Sequence, residues 1–186
     1  MRGFCGLGVA KPTEMTIRDL LQEELRKRGV TVVPEFSVST PDGRRLAPDM
    51  LLKNGAPYVV ETKLGAETKL LDAMVKLYDY QKYVSEAKGA FAVLFPEELR
   101  RAWPTDVIVS IARDPKTQLS TIGIFKDLRP SQPFKGSLFE VADWIAGHVL
   151  RAPVVEADTG FAIRILRDAV SYITASVRRL RGKELE

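Results

Sequence analysis

The chain has one cysteine, one histidine and no apolar run near the length of a membrane span, and each scarcity narrows the chemistry. A lone Cys5 makes no intrachain disulfide framework and cannot build a thiolate metal site by itself. A histidine-rich zinc site or a Ser–His–Asp triad has only His148 to build on. That residue lies in "WIAGHVLRA", among apolar neighbours, and reads as a packed or surface histidine rather than a general base. Any metal is therefore expected to be a hard cation on oxygen ligands. No stretch approaches the ~20 apolar residues that cross a bilayer, and the N-terminus lacks a signal-peptide core. A cytoplasmic protein with no membrane partner is expected.

What is present is enough for one core: 186 residues, 45% hydrophobic and 28% charged. The net charge of +4 and the pI of about 9.2 are compatible with a polyanionic partner and on their own say little more.

Residues 1–12, "MRGFCGLGVAKP", are Gly-rich and aperiodic and read as an N-terminal arm. They are not a phosphate loop, since the Gly-Lys-Ser/Thr ending is missing. "TEMTIRDLLQEELRKRGV" reads as an amphipathic helix capped by Thr13 and stopped by Gly29. "VTVVPEFSV", "LAPDMLL" and "YVVETKL" read as a three-strand meander, with turns at "TPDG" and "KNGAP". A helix is expected over about 67–88, then a buried strand "GAFAVLF", a short helix "PEELRRA", and strands at "DVIVSIA" and "QLSTIGIF". "SLFEVADWIAGHVL" and the stretch from Gly160 close the chain as helices. The expected architecture is α/β (α+β): a central mixed sheet flanked by helices over 13–150, with a helical extension over 151–186. In that extension Phe161, Ile165, Ala169, Ile173 and Val177 form one stripe, suited to packing on a core or a partner helix. Trp103 and Trp144 read as core or edge anchors.

The chemistry concentrates in "APDMLLKNGAPYVVETKLG", residues 47–65. Strand alternation puts Val59, Glu61 and Lys63 on one face and Tyr58, Val60 and Thr62 on the other. Asp49 lies on the neighbouring strand, across a short turn, where its carboxylate approaches Glu61. Two carboxylates at that spacing repel unless a cation neutralises them. Mg²⁺ typically takes one or two carboxylates, waters and phosphate oxygens, and an adjacent ammonium steadies charge on a phosphate. The bland alternative is a solvated Glu–Lys pair on a sheet face, with Asp49 capping a turn.

"PDMLLKNGAPYVVETK" resembles the Pro-Asp…(Asp/Glu)-x-Lys signature of the restriction-endonuclease-like nucleases, with Pro48, Asp49, Glu61 and Lys63 in the matching positions. The likeness runs over residues 13–95. It looks closest to the N-terminal nuclease domain of type I restriction motor subunits and to RecB-like and archaeal Holliday-junction resolvase nucleases. The resemblance implies a metal-dependent deoxyribonuclease with Asp49 and Glu61 on Mg²⁺ or Mn²⁺ and Lys63 orienting water or stabilising charge. It also implies a further acid on the preceding helix. Glu14 is the candidate there; Glu23 and Glu24 are expected to face solvent, and Glu35 is a lesser alternative. First-turn complementarity to the helix dipole explains Glu14 equally well.

Relatives place a Gln, often with a Tyr, on the helix after the motif. Here Gln81 is the candidate, flanked by Tyr78, Tyr80 and Tyr83, while the Gln-x-x-x-Tyr spacing is broken by Ser85. Arg44, Arg45, Lys69, Lys76, Lys82 and Lys88 are candidate phosphate contacts. DNA is the expected partner, with a helicase or methyltransferase module or a second copy as further possibilities. The rival readings are a nuclease-like module that binds DNA or protein without cutting, and a generic α/β scaffold.

Overall fold

Ile17, Leu21 and Leu25 recur at helical spacing, and in the computed structural model they form the buried stripe of α1 (Pro12–Lys27). The structure describes residues 12–34, 36–84, 87–125 and 128–151. The expected N-terminal arm (its first eleven residues), Glu35 and residues 152–186 of the expected extension lie outside these. Gly29, at φ 82°, ends α1 in the left-handed conformation, and its N–H donates to the Arg26 carbonyl.

The chain continues through β1 (Thr31–Pro34), β2 (Val38–Ser39), β3 (Arg45–Leu46), β4 (Met50–Asn54) and β5 (Ala56–Leu64). The expected meander is present with one insertion. β1, β4 and β5 pair antiparallel in that order, while β2 and β3 form a separate two-stranded ribbon. Two expected single strands are thus each divided, and Pro48, which has no N–H to give a ladder, stands in the break between β3 and β4. Gly55, at φ 91°, closes the β4–β5 turn and puts Met50 opposite Val60.

After α2 (Thr68–Tyr83) comes β6 (Gly89–Phe95), parallel to β5 and buried along its whole length. α3 (Glu97–Arg101), α4 (Thr105–Arg113), β7 (Leu119–Ile124), β8 (Phe134–Gly136) and α5 (Leu138–Arg151) follow. The six-stranded sheet has the order β1-β4-β5-β6-β7-β8, with β5–β6 its one parallel pair. The fold is mixed α/β, as expected.

One expected strand, "DVIVSIA", is instead α4. Its run of β-branched residues favours a strand locally, but Ile108 and Ala112 stand four apart and are both fully buried. Asp106 in the first turn complements the dipole, and packing against α1 completes the override.

Alternation splits the core. Tyr58, Val60 and Leu64 of β5 join Phe91, Val93 and Phe95 of β6 under α1 and α5. Val59 joins Ala90, Ala92, Ile122 and Ile124 under α2, where Ala73, Leu77 and Tyr80 close the second layer. The small side chains of Ala90 and Ala92 leave room for α2 close over the sheet. Trp144 packs against Phe134 and Phe91, as an anchor should, whereas Trp103 is 66% exposed. His148 stacks on Phe125 with centroids 5.0 Å apart, a packed histidine as expected. No described helix is long and apolar enough to cross a membrane.

Candidate active site

Pleat geometry puts Glu61 on the α2 side of β5, beside Val59, and there its side chain is 2% exposed. A buried carboxylate needs partners, and Glu61 has three. Its Oε1 accepts from Lys63 Nζ at 2.5 Å and from Lys76 Nζ at 2.6 Å, and its Oε2 accepts from the Tyr80 hydroxyl at 3.0 Å. Lys63 follows two residues later on the same face of the strand; Lys76 and Tyr80 come from α2, four residues apart on one helical face.

Asp49 immediately precedes β4, one step beyond the Met50–Val60 pair. Its Oδ2 accepts from the Thr62 N–H and from the Thr62 hydroxyl, both at 2.6 Å. Its Oδ1 accepts no hydrogen bond from a described residue. Burial pushes the Asp49 carboxyl above its ordinary range, and the charge of Glu61 pushes it further. The bonds from Thr62 and the charge of Lys63 act the other way without cancelling the shift. The two carboxylates are thus electrostatically coupled.

Burial alone would lower Lys76, but the hydrogen bond and charge of Glu61 reverse this and hold the ammonium above its ordinary range. Tyr80 is raised well above the ordinary phenol range, first by burial and then by the Glu61 carboxylate, and stays a donor at all ordinary pH values.

Glu14 stands in the first turn of α1, exposed, and makes no ion pair with a described residue. It lines a pocket of about 400 Å³ together with Thr13, Lys63, Leu64, Lys69 and Arg100. Glu14 therefore shares a cleft with Lys63. One turn further along α1, Arg18 lines a second pocket with Arg45, Pro48 and Asp49. A third pocket joins Arg45 to Lys76, Asp79 and Tyr80.

Gln81 is not brought to the carboxylates. Its Nε2 donates to the Ile124 carbonyl of β7 at 3.3 Å, and β7 is two strands away from β5. The cause is helical rotation: consecutive residues differ by about 100°, so a helix that aims Tyr80 at Glu61 aims Gln81 elsewhere. Arg44 pairs with Asp42 and reaches Asp79, and Lys82 lies 5.1 Å from the Tyr83 ring, so neither lines these pockets. Glu23 pairs with Lys27 and Arg113 on the surface, as expected. Glu24 departs from expectation: it is buried, because Arg28 holds it at 2.9 Å while also reaching Asp143 of α5 at 2.6 Å.

Thr62, Arg18 and Arg100 carry no motif signal and emerge only from the geometry. Tyr80 and Lys76 were visible as helix residues, but not as partners of Glu61.

Among the described residues, no group of three or more His, Cys, Asp and Glu side chains gathers as metal ligands. Asp49 and Glu61 are neighbouring carboxylates, and Asp49, whose pKa is raised, has one oxygen with no hydrogen-bond donor among the described residues. A hard divalent cation typically takes one or two carboxylates and completes its shell with water, and on Glu61 it would have to compete with Lys63, Lys76 and Tyr80. No known protein-family model matches the sequence, and no curated protein is significantly similar to it.

Proposed function

We propose that this protein is a metal-dependent nuclease that hydrolyses DNA phosphodiester bonds. The observation that carries the reading is Glu61: a carboxylate 2% exposed at the sheet, coupled to Asp49 and bonded to Lys63 two residues on. Asp49 and Glu61 would hold Mg²⁺ or Mn²⁺, with Glu14 the available third acid on the Lys63 side of the cleft. A divalent cation there supplies nucleophile activation and charge neutralisation at the phosphoryl group.

The chain's own residues do the rest. Thr62 fixes Asp49 through two donors, and Tyr80 fixes Glu61, so neither carboxylate swings freely. The Lys63 ammonium, partly exposed and lining the Glu14 cleft, donates to the attacking water or to a non-bridging phosphate oxygen. Arg18, Arg45, Lys69 and Arg100 line the same clefts and would bind flanking phosphates.

A second reading has one observation in its favour. Lys63 and Lys76 already neutralise Glu61 without a metal, as a module that binds DNA without cutting it would allow. Plasmid and single-stranded DNA incubated with Mg²⁺, Mn²⁺ or EDTA separate the two. Cleavage that requires metal and is lost in Asp49→Ala and Lys63→Ala supports the nuclease. Binding without cleavage in every metal supports the binding module, and cleavage that survives both substitutions removes the assigned site.

A further inference from the structure

Lys76 has no place in the motif that points to this site, yet it touches the most buried carboxylate in it. Its Nζ lies 2.6 Å from Glu61 Oε1, the same oxygen that Lys63 Nζ approaches at 2.5 Å. Two ammonium groups sharing one oxygen are at most about 5 Å apart and repel each other. They are held together by the charges of Glu61 and Asp49, which two monocations balance. A divalent cation on the same carboxylates would leave four positive charges against two negative ones. Departure of one ammonium relieves that excess.

The two lysines are not equivalent. Lys63 is 26% exposed and rooted on β5, two residues from Glu61. Lys76 is 52% exposed, comes from α2 on a flexible four-carbon stem, and borders the pocket shared by Arg45 and Asp79. Asp79, one helical turn on, pairs among the described residues with Arg44 alone, at 3.7 Å. An alternative anionic neighbour and an open pocket are therefore within reach of Lys76.

We propose that Lys76 is a displaceable counter-ion. It holds Glu61 in register while no cation is present, competes with a divalent cation for Oε1, and on displacement moves to a phosphate of the bound strand. The proposal rests on the metal-dependent reading of the site.

The test is calorimetric titration with Mn²⁺ alone, without DNA, of the wild type, Lys76→Met, Lys76→Gln and Asp49→Asn, with folding checked by circular dichroism. Removing the ammonium that competes with the cation for Glu61 Oε1 should tighten Mn²⁺ binding roughly tenfold in both Lys76 variants. Asp49→Asn should weaken it. Folded Lys76 variants that bind Mn²⁺ as the wild type does, or more weakly, overturn the counter-ion role and leave the metal site standing. Mn²⁺ binding that is absent throughout, or indifferent to Asp49→Asn, overturns the metal site as well. A second measurement follows the displaced lysine to the DNA. With Ca²⁺ present, Lys76→Met should reduce the salt slope of DNA binding by about one, and without divalent cation it should leave the slope unchanged. A slope unchanged by Lys76→Met in Ca²⁺ overturns delivery to phosphate.

Discussion

Replacing Tyr80 by Phe removes one oxygen from a sealed place. Tyr80 is 3% exposed and Glu61 is 2% exposed, so bulk water replaces the lost bond poorly. The 3.0 Å bond from the Tyr80 hydroxyl to Glu61 Oε2 has an ionised acceptor, a class worth about 1.5–3 kcal/mol. Because Glu61 Oε1 keeps both ammonium partners, the lower half of that range applies, about 2 kcal/mol. In a chain of this size such a loss lowers Tm by roughly 4–8 °C. Urea denaturation followed by circular dichroism should show a lower midpoint at unchanged m. In a Glu61→Gln background the same bond would be neutral to neutral, and the cost of Tyr80→Phe should shrink to about 1 kcal/mol. The pH dependence has a fixed sign. Burial and the Glu61 charge raise the folded phenol, so its contribution is complete below the unfolded value near pH 10 and declines as pH rises beyond it. A cost under about 0.5 kcal/mol, or an equal cost in both backgrounds, would refute the claim that Tyr80 anchors an ionised Glu61.

Other outcomes follow from the same contacts. Asp49→Asn should raise metal-free Tm at pH 7, because a raised folded pKa means that ionised Asp49 costs stability above that pKa. The gain should vanish below about pH 4, where wild-type Asp49 is protonated in both states. Thr62→Val should remove the hydroxyl partner of Asp49 but leave the N–H, costing about 1 kcal/mol by urea titration. Glu24→Gln should cost about 1–3 kcal/mol. Burial opposes the Glu24 charge, but bonds from Lys27 and Arg28 outweigh it, so that stability is present at neutral pH and lost on acidification. Lys69→Ala with Arg100→Ala should lower the salt slope of DNA binding by up to about two without moving Tm appreciably, since both side chains are half-exposed.

The strand pair that carries Asp49, Glu61 and Lys63 was legible because two local signals agree there: an Asn-Gly turn and strict alternation of faces. Once those hold, Glu61 and Lys63 share a face whatever the rest of the chain does. α4 was not legible, because Val107, Ile108, Val109 and Ile111 favour a strand locally, whereas burial on α1 selects the helical spacing of Ile108 and Ala112. The same limit applies to Gln81, Tyr80 and Lys76. A helix over that stretch is readable, but its rotation about its own axis is fixed by the alanines of β6 beneath it, a long-range fact. Glu24 was misjudged for the same reason: its partner Arg28 is local, but the α5 surface that buries both is 115 residues away in sequence.

The charges around the carboxylates divide into two kinds, and the division bears on what the clefts can receive. Glu24, Arg28 and Asp143 tie α1 to α5 through short bonds around a buried acid, and exchanging them for a ligand would cost the fold. The cleft cations are held loosely by comparison. Arg18 meets Asp19 at 3.5 Å, Lys69 meets Asp72 at 3.2 Å, Arg100 meets Glu97 at 3.6 Å, and Arg45 donates to the Ser37 hydroxyl and to no carboxylate among the described residues. Pairs of that kind contribute about 0–1 kcal/mol each, so phosphates can replace them at small cost and release counter-ions in doing so. A neutral or cationic substrate gains nothing from such a rim, and a cationic one is repelled by it. On the proposed reading a polyanion is what such a rim would receive, with Lys69 and Arg100 beside Lys63 and Glu14, and Arg18 and Arg45 beside Asp49.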